Sequence, residues 1–101
     1  KHAVVGLTRQ LGAEVAAEGI LVNCICGGIV DTEMWDVIDR GVTNRTGAPE
    51  GSFKTEAVAS VPIGRVQRPE DLANVVVYLA GDDADYIAGQ TLNVSGGLLP
   101  Y

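Results

Sequence analysis

The stretch Ile20–Met34, ILVNCICGGIVDTEM, decides how this chain folds. Ile20, Leu21, Val22 and Ile25 supply the aliphatic bulk of a strand over about residues 20–26. Gly27-Gly28 break it, and Asp31-Thr32-Glu33 is a helix-start signature in which Asp31 or Thr32 can cap. A strand, a glycine turn and a helix start form the place where an open α/β sheet holds a ligand. The ligand there meets the carboxyl end of the strand and a set of exposed backbone N–H groups.

Toward the amino terminus, residues 2–18 read as a helix. Val4, Leu7, Leu11 and Val15 recur at spacings of three and four and predict one apolar stripe. Gly6 costs about 1 kcal/mol in mid-helix, and a small residue there would let another helix or strand come close. Gly19 stops the helix. Toward the carboxyl terminus, Thr32–Arg40 predicts a helix with Met34, Trp35 and Ile38 on its apolar face. Residues 41–52, GVTNRTGAPEGS, predict a loop, and 53–60 a short helix with Phe53, Ala57 and Val58 on one side. Residues 34–60 together predict a helical flap long enough to act as a lid.

Val61-Pro62-Ile63-Gly64-Arg65 reads as extended linker. Pro69 in the first turn, with Glu70 and Asp71 against the positive end of the dipole, predicts a strong helix ended by Gly81. Its buried stripe is Leu72, Val75, Val76 and Leu79. A second strand covers Gln90–Val94 and closes on Ser95-Gly96-Gly97. Two strands joined through helices imply a parallel pair with a right-handed crossover. A parallel sheet needs covered faces and paired edges, so the expectation is that this chain is half of something larger. Its start inside a helical pattern, at Lys1 and without Met, carries the same expectation.

Composition narrows the function classes. The chain has 101 residues, at most one small domain, which would bury roughly two thirds of its unfolded surface. At 47% hydrophobic and 20% charged it has a globular composition. A net charge of -6 argues against nucleic acid, whose phosphates need a basic face. No apolar run approaches the roughly 20 residues of a membrane span. Arg9, Glu14 and Glu18 argue against a secretory signal. Cys24 and Cys26 share one face of the first strand. With no His or third Cys nearby they read as plain thiols rather than a metal or redox pair, which implies a reducing, cytoplasmic compartment.

Six motifs in order then resemble one family. They are K-x-A-V-x-G-L-T-R at Lys1–Arg9, G-I-x-V-N at Gly19–Asn23 and G-x-V-x-T at Gly28–Thr32. P-I-G-R at Pro62–Arg65, P-E-D-L-A at Pro69–Ala73 and Y-I-x-G-Q-x-L-x-V-x-G-G at Tyr86–Gly97 complete the set. From Lys1 to Gly97 the chain resembles the C-terminal part of the short-chain dehydrogenases/reductases. M-W-x-x-I-D at Met34–Asp39 and G-x-P-x-G at Gly47–Gly51 resemble the polyol and acetoin/butanediol dehydrogenases among them.

The resemblance implies a Rossmann-type doubly wound parallel sheet, of which residues 1–101 are the C-terminal portion of a single domain. It implies hydride transfer between NAD, with NADP as the alternative, and a secondary alcohol or ketone, a polyol or vicinal diol/hydroxyketone being favoured. A 3-oxoacyl-thioester reductase is the alternative enzyme. A homo-oligomer, tetramer or dimer, is implied, and a purely associating inactive fragment is the non-enzymatic alternative.

By resemblance Lys1 is the catalytic lysine that binds the nicotinamide ribose and lowers the pKa of a tyrosine four residues before it; otherwise it is a solvated charge. Gly27, Gly28, Val30 and Thr32 hold the nicotinamide end, the plain alternative being an ordinary turn with a capping Thr. Met34 and Trp35 line the substrate pocket, unless Trp35 only packs the flap. His2 reads as surface, and Asn23 as part of the strand rather than a catalytic residue. The family usually carries Pro-Gly at Gly27-Gly28 and Asp at Ser95. The missing proline implies a looser turn. The catalytic Ser, Tyr and Asn and the glycine-rich phosphate fingerprint all map before Lys1, so these 101 residues are not expected to turn over substrate by themselves.

Overall fold

The computed structural model describes residues 1–98. Its elements run α1 (His2–Val15), β1 (Cys24–Gly27), α2 (Glu33–Thr46), α3 (Ser52–Ala59), α4 (Pro69–Ala80) and β2 (Thr91–Val94). The two strands pair in parallel, with Cys24 opposite Thr91 and Gly27 opposite Val94. The architecture is α/β, with α1 and α4 packed against β1 and with α2 and α3 packed against one another.

Local signals place most boundaries. The helix of α1 tightens into a 3-10 turn at Ala16–Glu18 and stops at Gly19, whose φ of 78° lies in the left-handed region that glycine reaches without strain. Pro69 opens α4, and the Asp71 carboxylate reaches back to accept the Arg68 N–H at 2.8 Å, the N3 half of a capping box. Gly81 ends the helix as predicted.

Five expectations need correction. The ladder of β1 starts at Cys24, not Ile20: the Gly89 N–H still reaches the Val22 carbonyl at 2.8 Å, but the left-handed turn at Gly89 (φ 68°) ends the parallel pairing there. Helix α2 runs six residues past Arg40, through the predicted loop, to a left-handed stop at Gly47. In that extra length the Thr43 and Thr46 hydroxyls donate back to the carbonyls of Asp39 (2.9 Å) and Val42 (3.0 Å), so these polar residues sit in the helix instead of breaking it.

The stripe of α1 is rotated from the predicted one. Val4 (55%) and Leu7 (57%) are exposed, whereas Thr8 and Gly12 are buried. The close approach is at Gly12, where an added Cβ would lie 2.5 Å from the Gly89 Cα; nothing comes within 4 Å of one at Gly6. On α4, Leu72, Val75 and Leu79 are half-buried but Val76 is 53% exposed.

The buried hydrophobic core among the described residues is Ile29, Val61 and Ala84. A radius of gyration of 16.7 Å exceeds the about 13 Å of a compact 100-residue domain. The accessible surface of 7093 Å² likewise exceeds the about 5,400 Å² of a compact monomer of this mass, so less than two thirds is buried. Both follow from a two-stranded parallel sheet, which leaves apolar faces and edges without cover. No helix among the described residues is long and apolar enough to cross a membrane.

Candidate functional site at the strand ends

The carboxyl ends of β1 and β2 meet at glycines. A Cβ on Gly28 would lie 3.0 Å from the Ser95 Cα, so the strands approach this closely only without a side chain there. Ser95, where the resembling family has Asp, is itself buried. Beyond Gly28 the chain stays extended. Val30 forms a parallel bridge with Gln67, in which the Ile29 carbonyl accepts the Gln67 N–H at 2.9 Å and the Asp31 N–H donates to the Gln67 carbonyl at 2.8 Å.

That pattern fixes where the Val30 backbone points. In an extended strand the N–H and C=O of successive residues face opposite edges. Ile29 and Asp31 face Gln67, so the N–H and C=O of Val30 face the other way, side by side. Neither makes a hydrogen bond among the described residues. One donor and one acceptor on a single rigid edge match a primary carboxamide, which carries the complementary pair.

The other residues singled out by the sequence lie around this edge. Thr32 occupies the N-cap of α2 in extended conformation, but its hydroxyl makes no capping bond; the Trp35 N–H reaches the Thr32 carbonyl at 3.0 Å. Gly27 is the last residue of β1. Lys1 stands exposed at the N-cap of α1, with no hydrogen bond or ion pair from its side chain among the described residues. Its charge reaches Cys26: burial and the neighbouring Cys24 raise that thiol's pKa, and Lys1 opposes the rise. Both cysteines are free and half-buried.

Met34 is 70% exposed on α2, whereas Trp35 is half-buried and stacks on Phe53 at a centroid distance of 6.2 Å and an interplanar angle of 26°. A cleft of about 100 Å³ among Ile29, Val61, Ile63, Gln67 and Ser95 lies beneath the site. A groove of about 360 Å³ among Leu21, Asn23, Ile25, Val76 and Leu79 lies between α4 and one face of the chain along β1. Neither includes Lys1, Val30, Thr32, Met34 or Trp35.

The motif reading missed two side chains. Asp39, 3% exposed, accepts the backbone N–H of Gly51 (2.6 Å) and of Lys54 (2.8 Å), capping α3 from across the hairpin. These bonds, the Lys54 amide first, hold its carboxyl below the usual carboxylate range. Lys54 then reaches back with its Nζ to Asp36 (2.9 Å) and to Asp31 (3.0 Å), tying α3 to the segment beside Val30. The available signal was the motif itself: Asp39 ends M-W-x-x-I-D, and the left-handed Gly47 and Gly51 bound G-x-P-x-G. The second is Gln67. Its side-chain N–H donates to the Val94 carbonyl at 2.7 Å and its side-chain carbonyl accepts the Gly28 N–H at 2.9 Å.

Comparison with known proteins finds relatives along nearly the whole chain. A family model described as enoyl-(acyl carrier protein) reductase matches residues 1–99. A sorbitol dehydrogenase of Cereibacter sphaeroides is 43% identical over 97 residues, covering 96% of this chain and 38% of that protein. A diacetyl reductase, (S)-acetoin forming, of Staphylococcus aureus is 44% identical over 98 residues, covering 97% and 38%. Among solved structures, an actinorhodin polyketide ketoreductase with NADPH superposes with a TM-score of 0.90 at 39% identity, covering 99% of this chain and 38% of that one. The chain thus spans a little over a third of the length of the curated relatives it matches.

Proposed function

The chain belongs to the short-chain dehydrogenase/reductase family, and we propose that it is the C-terminal portion of an NAD(P)-dependent oxidoreductase acting on secondary alcohols and ketones. The observation that carries this reading is the Val30 edge, whose paired N–H and C=O suit the carboxamide of a nicotinamide. Gly27 and Gly28 bring the backbone close, and the uncommitted Thr32 hydroxyl adds a polar contact. The nicotinamide, when bound, supplies the hydride acceptor or donor. Lys1 holds the adjoining ribose hydroxyls, and its positive charge lowers the pKa of a tyrosine four residues upstream, so that a phenol can exchange a proton at neutral pH.

A vicinal hydroxyketone, its diketone or a polyol is the favoured substrate. Support comes from the similarity to a sorbitol dehydrogenase and a diacetyl reductase. Met34, exposed on the α2–α3 hairpin that Asp39, Gly47 and Gly51 build, is the residue we assign to the substrate mouth. A second reading, a 3-oxoacyl-thioester reductase, is favoured by the likeness to a polyketide ketoreductase. Exposed Val4 and Leu7 on α1 support a homo-oligomer, and two free thiols support a cytoplasmic setting.

Purified full-length protein assayed with NADH and NADPH against diacetyl, a ketose and a 3-oxoacyl thioester tests the choice. Turnover of the diketone or ketose is expected. Turnover of the thioester alone selects the second reading, and turnover of none sinks both. Expressed alone, residues 1–101 are expected to self-associate and to leave NADH fluorescence unchanged, because the buried hydrophobic core among the described residues is three side chains and the sheet edge is open. A cooperative melt with micromolar NADH binding overturns that expectation.

A further inference from the structure

Between P-I-G-R and P-E-D-L-A stands Gln67, a residue to which neither motif assigns work. All four of its polar groups are engaged at the strand ends. Its backbone N–H and C=O bond Ile29 and Asp31, on either side of Val30. Its side chain bonds Gly28, just past β1, and Val94, the last residue of β2. The amide orientation is fixed by its partners, since the Val94 carbonyl only accepts and the Gly28 N–H only donates. The Gly28 N–H is shared between Gln67 and the Val94 carbonyl at 3.1 Å.

We propose that Gln67 is a positioning residue for cofactor binding: its side chain stiffens the Gly27-Gly28 turn and so fixes the direction of the Val30 edge. This rests on the reading of that edge as the nicotinamide-facing one. Two successive glycines give the turn no side chain of its own, and its freedom passes directly to Val30 two residues on. The Gly27 N–H lies on the edge facing away from β2, as the Cys24 and Gly28 N–H bonds to β2 require, so no ladder bond restrains it either. Gln67 supplies the missing restraint from across the cleft, and its Oε1 lies 3.6 Å from where a Gly27 Cβ would stand.

The test compares ligands with and without the nicotinamide in the full-length protein. Wild type, Gln67→Ala and Gln67→Glu are titrated with NADH, with NADPH and with ADP-ribose, and KM and kcat are measured. Gln67→Ala is expected to weaken dinucleotide binding about tenfold, the scale of one lost buried hydrogen-bonding side chain, with ADP-ribose affinity and kcat within about threefold. Gln67→Glu keeps the acceptor for Gly28 but turns an acceptor oxygen toward the Val94 carbonyl, so a loss at least as large is expected; it serves as the readout if Gln67→Ala does not fold. Equal weakening of ADP-ribose, or no weakening of the dinucleotides, overturns the proposal. Wild-type protein that binds ADP-ribose but gains nothing from the nicotinamide overturns the reading of Val30 instead, and with it the role of Gln67.

Discussion

The two ends of the β1–β2 ladder are closed by the same chemistry and differ in what they hold. At the entry end the Asn23 amide donates to the Ile87 carbonyl at 2.7 Å and accepts the Gln90 N–H at 3.0 Å. At the exit end the Gln67 amide donates to Val94 and accepts from Gly28. The entry clamp joins two pieces of backbone already held by other bonds: the Gly89 N–H reaches Val22 at 2.8 Å, and Gly12 of α1 presses on Gly89. The exit clamp borders a segment whose next residue, Val30, leaves its own N–H and C=O outside every hydrogen bond among the described residues. One end spends its backbone groups on the fold. The other leaves a donor and an acceptor side by side without a partner among the described residues.

Substitutions can break this contrast. The largest effect is expected at the entry end from Gly12→Ala, whose Cβ meets backbone that cannot yield. A loss of about 3 kcal/mol is expected in urea melts of the full-length protein. Next is Asn23→Ala, which leaves the Ile87 carbonyl and the Gln90 N–H without their side-chain partner. A loss of about 1–3 kcal/mol is expected, with NADH affinity within about twofold of wild type. If Asn23→Ala weakened NADH as much as Gln67→Ala, the two ends would be equivalent and the contrast would fail.

Gly6→Ala sharpens the comparison from the other direction. With nothing within 4 Å and a helical backbone, it is expected to raise stability by about 1 kcal/mol, opposite in sign to Gly12→Ala six residues on.

The smallest effect is electrostatic and lies beside the exit end. Arg65, first, and the Arg68 amide hold the Asp71 carboxyl well below the usual carboxylate range. A carboxylate lowered in the folded state stabilises above its unfolded pKa, about 4, and loses that contribution as pH falls toward the folded value. Arg65 is partly exposed, so screening keeps the effect modest. Wild type should therefore melt above Asp71→Asn at neutral pH, and the gap should close in acid melts below about pH 4. A gap independent of pH would remove the Asp71 carboxylate from the account of α4.

Where the sequence spoke through local chemistry, the fold was legible. Pro69 and Asp71 opened α4, and Gly19 and Gly81 closed their helices. The strand–glycine–helix order within Ile20–Met34 appears as β1, the glycine pair and the start of α2. Where the outcome depended on what lies opposite, it was not. Val4 and Leu7 made as good an apolar stripe as any, yet α1 turns Thr8 and Gly12 inward, because the backbone of Gly89 admits a helix only where no Cβ intervenes. The composition of residues 41–46 reads as loop, yet α2 continues to Thr46, beside the α3 turn that Asp39 caps.

The sequence by itself determined the element order, the parallel pairing and the position of the glycine turn, because caps, left-handed glycines and apolar spacing act within about one helical turn or one strand. Only the tertiary structure decided which amides close the ladder and which backbone groups stay uncommitted. Asn23 reaches residues 64 and 67 positions away, and Gln67 reaches residues 39 and 27 positions away. A side-chain amide carries no mark of its partner until the chain has brought that partner within 3 Å, and the open edge of Val30 exists only because Gln67 occupies the opposite one.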